Sequence, residues 1–387
     1  MARDKVTVIC ADVSINCLSR ALTLAEIISQ THNVQITGFA RSYREIWPPA
    51  VNSKVPVKLL PFGSVKQWFD ARNTIARITR ECKLIICKPR LMSMGLALQA
   101  GINPESVLLD INDWELGLAL GSRRVDGHFH YRQMLTNLAS PNSPLLTLHY
   151  EKKIGIFPHR LVNNRWLQQR FGGELLYDVR DTDRLNPENY DKKALRLSLG
   201  LDDRPWIIFA GTPRPHKGLH VLLAALAEIH GDNAPGLMCC GGGSDNARHR
   251  NFINDACQLL GPARVFHAGS YNREEAANYL AAADIACVPA RLTSNSIGQV
   301  PTKLFEALAM GLPVIVSDIC DMADLIRGAG LSVPSEDSKA LANAIKTLAD
   351  DPAIRRQFGL EARRRAVEQY SYHAARPVLD GLLHRLA

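Results

Sequence analysis

Trp206-Ile-Ile-Phe-Ala-Gly-Thr-Pro-Arg-Pro-His-Lys-Gly-Leu219 begins as an apolar run, breaks at a glycine and two prolines, and enters an amphipathic stretch that continues to Ile229. An apolar strand, a turn-rich loop and a helix together make the repeating unit of a parallel sheet covered on both faces. The unit recurs downstream. Apolar runs at Gly236–Cys240, Val265–Ala268, Ile285–Pro289 and Pro313–Val316 alternate with helical periodicity over Asn246–Leu260, Arg273–Ala282 and Pro301–Met310. Upstream, Val6–Cys10 leads through the polar loop Asp12–Asn16 into a helix over Leu18–Ser29, with further strands expected at Val34–Phe39, Lys83–Cys87, Ser106–Leu109 and Leu145–Leu148.

The pattern predicts an α/β protein of two Rossmann-like, doubly wound domains, and 387 residues are more than one core usually organises. The charged stretch Tyr177–Asp203 separates them. We expect an N-terminal domain over 1–190, a linker over 191–204, a C-terminal domain over 205–370 and a closing helix over 371–387 that packs back towards the N-terminal domain. Such sheets bind ligands at the carboxyl ends of their strands, so two facing domains place the site in the cleft between them.

Composition narrows the class. With 46% hydrophobic and 22% charged residues the chain is folded, not disordered or fibrous. No apolar run approaches the roughly 18–20 residues that cross a bilayer, and the opening apolar stretch stops at Asp12 without a cleavage site, which reads as cytoplasmic. The nine cysteines include no C-x-x-C pair and read as reduced core thiols. The net charge of +8 is uneven: residues 1–200 hold 27 basic against 18 acidic residues, residues 201–387 hold 19 against 20. That surplus suits an anionic acceptor or peripheral contact with an anionic membrane, through Lys152, Lys153, Arg160, Arg165 and Arg170 interleaved with Tyr150, Phe157 and Trp166; a solvated face serving solubility is the alternative. No nucleic-acid module accompanies the charge, so nucleic acid is not an expected partner.

The loop Gly211–Gly218 occupies a phosphate-binding position, and Arg214 and Lys217, three apart near a helix start, can reach one diphosphate. In Gly298-Gln-Val-Pro-Thr-Lys-Leu-Phe-Glu-Ala-Leu-Ala-Met-Gly-Leu-Pro-Val-Ile315, Leu304, Phe305 and Leu308 form a buried stripe, leaving Lys303 and Glu306 together on the other side. A carboxylate there accepts two hydrogen bonds from adjacent sugar hydroxyls, or complements the helix dipole.

G-T-P-R-P-H-K-G-L at 211–219, Met238–Gly243, V-F-H-A-G-S-Y at 265–271, Y-L-A-A-A-D-I-A-C-V-P at 279–289, K-L-F-E-A-L-A-M-G-L-P-V-I at 303–315 and G-A-G-L-S-V-P at 328–334 follow in order. In order and spacing they resemble the retaining, family-4-type glycosyltransferases of the GT-B fold (glycosyl transferases group 1), over essentially all of 205–370. The N-terminal half matches more loosely, through Leu108–Glu115 and Arg160–Gly173 leading to Asp181.

The resemblance implies that Arg214 and Lys217 hold a donor diphosphate and Glu306 the nucleotide ribose, these three forming the catalytic set. Gly211, Thr212, Ala268, Gly269, Tyr271, Gln299, Thr302 and Lys303 complete the donor site, with Ala268–Tyr271 framing the base through the backbone. The family pattern pairs Glu306 with a second glutamate eight positions earlier, where this chain has Gly298. The missing contacts pass to Gln299, Lys303 or backbone N–H groups, or donor specificity differs, or the protein is inactive. Many relatives also carry a histidine after the strand Val107–Leu109, where this chain reads Asp110-Ile-Asn-Asp113.

Three readings stay open for Asp110 and Asp113: metal ligands, for which the spacing is wrong; a helix cap at Asp113; or polar contacts to donor sugar or acceptor. Asp12, Ser14 and Asn16 face the same end of the sheet and read equally as substrate contacts or as a local turn. His128, His130, His149 and His159 have no zinc or triad surroundings and receive no chemistry. The implied activity is transfer of a sugar, with retention and without metal or cofactor, from a UDP- or GDP-linked donor to a glycan, lipid-linked or small-molecule acceptor, as in polysaccharide biosynthesis. The enzyme would be cytoplasmic or peripheral at the inner membrane face. A catalytically inactive binding subunit and a GT-B sugar-nucleotide isomerase are the alternatives.

Overall fold

The computed structural model of the chain describes residues 4–40, 45–51, 53–121, 134–138, 140–242, 247–269 and 271–386. His128 and His130 lie outside the described residues. The chain forms two compact units: Met1–Asp178 with Ile297–Gln299 and Tyr372–Ala387, and Val179–Ser296 with Val300–Ser371.

The first unit runs β1 (Lys5–Cys10), α1 (Leu18–Ile28), β2 (Asn33–Phe39), β3 (Val57–Leu60), α2 (Val65–Ile78), β4 (Lys83–Cys87), α3 (Leu96–Gln99), β5 (Val107–Ile111), α4 (Glu115–Leu120), α5 (Pro144–Glu151), β6 (Arg160–Val162), α6 (Arg165–Phe171) and β7 (Glu174–Leu175). Its seven parallel strands lie in the order β3-β2-β1-β4-β5-β6-β7. The second unit runs α7 (Lys192–Leu199), β8 (Trp206–Ala210), α8 (Leu219–Ala227), β9 (Gly236–Cys240), α9 (Ala247–Leu260), β10 (Val265–Gly269), α10 (Arg273–Ala282), β11 (Ile285–Val288), α11 (Thr302–Ala309), β12 (Val314–Ser317), α12 (Met322–Leu325), β13 (Gly330–Val333), α13 (Ser338–Asp350) and α14 (Pro352–Gln369). Its six parallel strands lie in the order β10-β9-β8-β11-β12-β13. The last helix, α15 (Tyr372–His384), belongs to the first unit: Tyr372 donates to Glu26 Oε2 at 2.6 Å, and Lys83 Nζ to the Leu383 carbonyl at 3.0 Å.

In both sheets the strand order reverses beside the first strand of the unit, so the loops leaving β1 and β4, and those leaving β8 and β11, open at the switch point where α/β sheets take ligands. The apolar runs supply the cores. Ile207, Phe209, Leu222, Leu226, Leu237, Ile285 and Ile315 interlock in the second unit, and Ile9, Phe39, Ile75, Ile86, Leu109 and Phe157 in the first. Each such burial contributes about 1.5–3 kcal/mol.

Two expectations are corrected. Leu145–Leu148 lies in α5, not in a strand: Pro144 occupies the first turn, where its missing N–H costs nothing. The stretch 191–204, expected as a linker, contains α7. Asp191 caps it by accepting from Ala194 N at 3.0 Å, and Gly200 closes it in the left-handed conformation. Lys192 binds Asp284 at 2.8 Å, Arg196 pairs with the same carboxylate, and Asp284 also accepts from Trp206 N at 2.7 Å. The charges that mark a boundary in sequence therefore fasten a helix to the second unit. The strands β3, β6, β7 and β13 are short and partly exposed, and their hydrophobic signal is correspondingly weak.

All nine cysteines are free, six of them buried. Among the described residues no helix is long and apolar enough to cross a membrane.

Candidate active site

In the second unit the chain leaves β8 at Gly211, whose N–H bonds the Cys240 carbonyl at 2.7 Å. A single tight turn, Pro215–Lys217, precedes Gly218 at φ +66°. A Cβ at 218 would lie 1.7 Å from the Pro289 carbonyl oxygen, so only glycine lets this loop pass the exit of β11. The turn brings Lys217 back over the strand end, where a Cβ on Gly211 would meet Nζ at 2.9 Å. Arg214 is exposed beside it, and Thr212 follows Gly211 in the same loop.

Among the described residues no carboxylate pairs with Lys217 or Arg214. Burial, then Arg214 and Lys303, pull the Lys217 pKa down to about 8. Burial, then Lys217 and Arg214, bring His216 down to about 4, so its ring is neutral at physiological pH. Three cations thus share one field with no local anion for two of them, which is a receptor for a polyanion.

Helix α11 supplies the second half. Lys303 Nζ lies 2.8 Å from Glu306 Oε2 and 5.6 Å from the centroid of the Tyr271 ring. Arg180 approaches the other carboxylate oxygen, Oε1, at 3.4 Å and donates to the Thr302 carbonyl at 3.4 Å. Burial pushes Glu306 up, but Lys303 and Arg180 outweigh it and leave the carboxyl below its ordinary value. Burial likewise depresses Lys303, and Glu306 and Tyr271 reverse the sign. Tyr271 packs edge-on to Tyr279 at 5.8 Å, just past Ala268 and Gly269 at the end of β10; Ser270 lies outside the described residues. Gly211, Thr212, Arg214, Lys217, Thr302, Lys303 and Glu306 all lie in this unit, at the exit of β8 and the start of α11, and the ring of Tyr271 joins them under Lys303.

The segment Ile297–Gln299 belongs to the first unit. A Cβ on Gly298 would lie 2.7 Å from Trp114 Cβ and 2.9 Å from the Trp166 ring, while Asn164 Nδ2 donates to its carbonyl at 3.2 Å. Position 298 therefore has no room for the glutamate of the family pattern. Gln299 turns its amide to Asp113, donating from Nε2 to Oδ1 at 2.6 Å. Asp113 also pairs with Lys88, which donates to Glu115 at 2.9 Å, and Glu115 pairs with Arg90. Asp113 does not cap α4; Trp114 holds that position without a side-chain bond.

Asp110 is fully buried, 3.1 Å from Arg20, which also binds Asp178 at 2.9 Å; Asp110 Oδ2 has no hydrogen-bond partner among the described residues, and burial raises the Asp110 pKa. Asp12 accepts from Ser14 N at 3.0 Å and Ser14 Oγ at 2.5 Å, a local turn that leaves Asn16 exposed. Of the five residues expected at sugar or acceptor, Asp113 meets a donor-site candidate, Gln299. No group of three His, Cys, Asp or Glu among the described residues could hold a metal ion.

The expected basic and aromatic patch is not formed as such. Tyr150 and Phe157 are core residues, and Arg170 stacks over Trp114, Trp166 and Phe171 while pairing with Glu151 at 2.7 Å. Sequence reasoning also missed Arg180, which lay in the stretch read as a boundary, the buried ions Arg20, Lys88 and Glu115, and the half-buried Arg90. For Arg20 a signal existed: a cation set among the apolar residues of α1.

Residues 191–365 match the family Glycosyl transferases group 1. It is 26% identical over 203 residues to the α-D-kanosaminyltransferase of Streptomyces kanamyceticus, covering 50% of this chain and 49% of that one. It is 28% identical over 211 residues, covering 53% and 54%, to the GDP-mannose-dependent monoacylated α-(1-6)-phosphatidylinositol monomannoside mannosyltransferase of Corynebacterium glutamicum. The chain thus spans about half the length of the curated relatives it matches. Its fold is similar to that of Anabaena HepE in complex with UDP-glucose, with a TM-score of 0.76 at 15% identity over 98% of this chain and 99% of that one. The fold is GT-B.

Proposed function

We propose that the chain is a retaining glycosyltransferase that moves a sugar from a nucleoside diphosphate to an acceptor hydroxyl without a metal ion. The observation that carries this reading is Lys217: half-buried, its pKa drawn down to about 8, beside Arg214 and Lys303, with no carboxylate partner among the described residues. Departure of the diphosphate is the demanding step, and preorganised cations are worth most where charge develops. Arg214 and Lys217 stabilise that charge, and Glu306, steadied by Lys303 and Arg180, accepts from the ribose hydroxyls. A diphosphate oxygen takes the acceptor proton on the same face of the sugar, so no protein base is required.

The donor base is uracil or guanine: HepE is described with UDP-glucose, and the mannosyltransferase of Corynebacterium glutamicum is named as GDP-mannose-dependent. A thermal-shift screen across nucleoside diphosphates and their sugars tests the reading, since ligand at one hundred times its Kd stabilises by about 2.7 kcal/mol. No shift with any of them would overturn it. Gly298, closed by Trp114 and Trp166, favours a second reading, a binding subunit without turnover. Nucleotide binding with no transfer to any glycan, lipid-linked or small acceptor would select that one. The same proposal places the protein in the cytoplasm, in peripheral contact with an anionic membrane through its basic first unit.

A further inference from the structure

The basic surplus of the first unit is concentrated where that unit also exposes apolar side chains. Residues 51–80 carry six basic residues, Lys54, Lys58, Lys66, Arg72, Arg77 and Arg80, against the single acid Asp70. Within the same stretch Leu59 is 45% exposed, Phe62 47%, Val65 75% and Phe69 47%. Phe62 and Trp68 both pack on Phe39, at 5.7 and 6.0 Å, which sets the segment that follows β3 beside α2. β3 is the edge strand of the sheet and presents Lys58 and Leu59, and the chain then passes Phe62 into α2.

Helix α2 has two unlike faces. Ala71, Ile75 and Ile78 are buried in the core, while Val65, Lys66, Phe69, Asn73 and Arg77 recur at spacings of three and four and are exposed. Phe62 rests edge-on against Phe39 at 5.7 Å, which fixes it without covering it, and Arg72 lies 5.0 Å over the Phe69 ring. Folding does not account for the charges. Ser64 caps α2 by accepting from Gln67 N at 3.2 Å, yet the first turn holds no acid and instead carries Lys66, a cation at the positive end of the helix dipole.

We propose that the face formed by β3 and the outer side of α2 docks on an anionic lipid bilayer, the cations meeting headgroups while Leu59, Phe62, Val65 and Phe69 enter the interface. Cations interleaved along the chain with exposed apolar side chains complement a surface that is both anionic and apolar, which a nucleic-acid backbone is not. This deepens the membrane contact proposed above, by naming its surface, and is independent of the transferase reading.

The test is co-sedimentation of the full chain with vesicles of phosphatidylcholine alone and of phosphatidylcholine with phosphatidylglycerol, across a salt series. Three double variants are compared: Val65→Ser with Phe69→Ser, Lys58→Glu with Lys66→Glu, and Lys152→Glu with Lys153→Glu. The changed side chains are exposed, Lys153 partly so, and unaltered melting temperatures and circular dichroism show that the fold is kept. The expected result is salt-sensitive binding to the anionic vesicles only, weakened about tenfold or more by each of the first two variants and unchanged by the third. Wild-type binding with all three variants equal to it overturns the docking surface and leaves the membrane reading standing; no wild-type binding overturns both. A dimer in sedimentation equilibrium that the Val65/Phe69 variant dissociates would assign the face to a second copy. Duplex DNA binding that depends on the lysines but not on Val65 and Phe69 would assign it to nucleic acid. Either result overturns the proposal.

Discussion

Lys303 and Glu306 face each other across one turn of α11, the ammonium 2.8 Å from the carboxylate, and Arg180 closes on the oxygen that Lys303 leaves free. The carboxylate is thus held in one orientation before any ligand arrives, with lone pairs remaining on both oxygens.

Glu306→Ala should lower affinity for a nucleoside diphosphate by about 1.5–3 kcal/mol, the range for hydrogen bonds to a charged group. It should cost much less for the 2′,3′-dideoxy analogue, which lacks the partners. Calorimetry on the four combinations isolates the contact. Equal losses for both ligands would leave Glu306 as a structural anchor for Lys303 and Arg180 only.

Arg214→Ala and Lys217→Ala should each weaken diphosphate binding roughly tenfold or more without loss of fold, because both charges lie in a loop and neither holds a carboxylate among the described residues. The double variant should lose more than either single one. Unchanged affinity in both single variants would remove the phosphate assignment.

The depressed Lys217 fixes a pH dependence. A bound diphosphate favours the ammonium, so affinity should be highest below about pH 8 and fall as pH rises through that value, with proton uptake on binding above it. Titration calorimetry in two buffers of different ionisation enthalpy reads the proton number directly. In the ligand-free protein the sign is opposite for stability. The unfolded chain keeps this proton up to about pH 10.4, so the Lys217 contribution to stability rises with pH between roughly 8 and 10. Pairing at Lys217 by some other anion would abolish both trends.

Gly298→Glu should fail to restore the family pattern and should destabilise the protein by about 1–3 kcal/mol, the cost of overpacking a filled site. Combining it with Trp166→Ala should recover part of that loss, since the ring is one of the two groups in the way. Denaturant titration of the three variants reads the coupling. A stable Gly298→Glu single variant would show that Trp114 and Trp166 yield easily.

Turnover should survive chelation, because Arg214, Lys217 and Lys303 supply the positive charge that a metal would bring to the diphosphate. Loss of activity in EDTA, restored by a divalent cation, would contradict this.

The second unit was legible because its strands are uniform apolar runs: Trp206–Ala210 and Gly236–Cys240 begin and end where the sequence places them, and the loop between Gly211 and Gly218 advertises itself through its glycines and prolines. The first unit was legible only in outline. Its sheet ends in β6 and β7, of three and two residues, too short for periodicity to register. Pro144 hid α5 within an apolar run. The ion clusters were invisible for a different reason. Arg20, Asp110 and Asp178 are far apart in sequence, and charge pairing at that separation leaves no local pattern. The same holds for Arg180 and Glu306, whereas Lys303 and Glu306, three apart on one helix, were readable from spacing alone.

That α15 lies in the first unit has a consequence for synthesis on the ribosome. Residues 179–371 can fold as they emerge, apart from the short excursion at 297–299, but the first unit must wait for both that excursion and the helix ending at His384. Until then Glu26 lacks the hydroxyl of Tyr372, and Lys83 lacks the carbonyl of Leu383. The half of the protein made first is therefore completed last, and a nascent chain halted before residue 372 carries an N-terminal unit without its closing helix, open to chaperones and proteases.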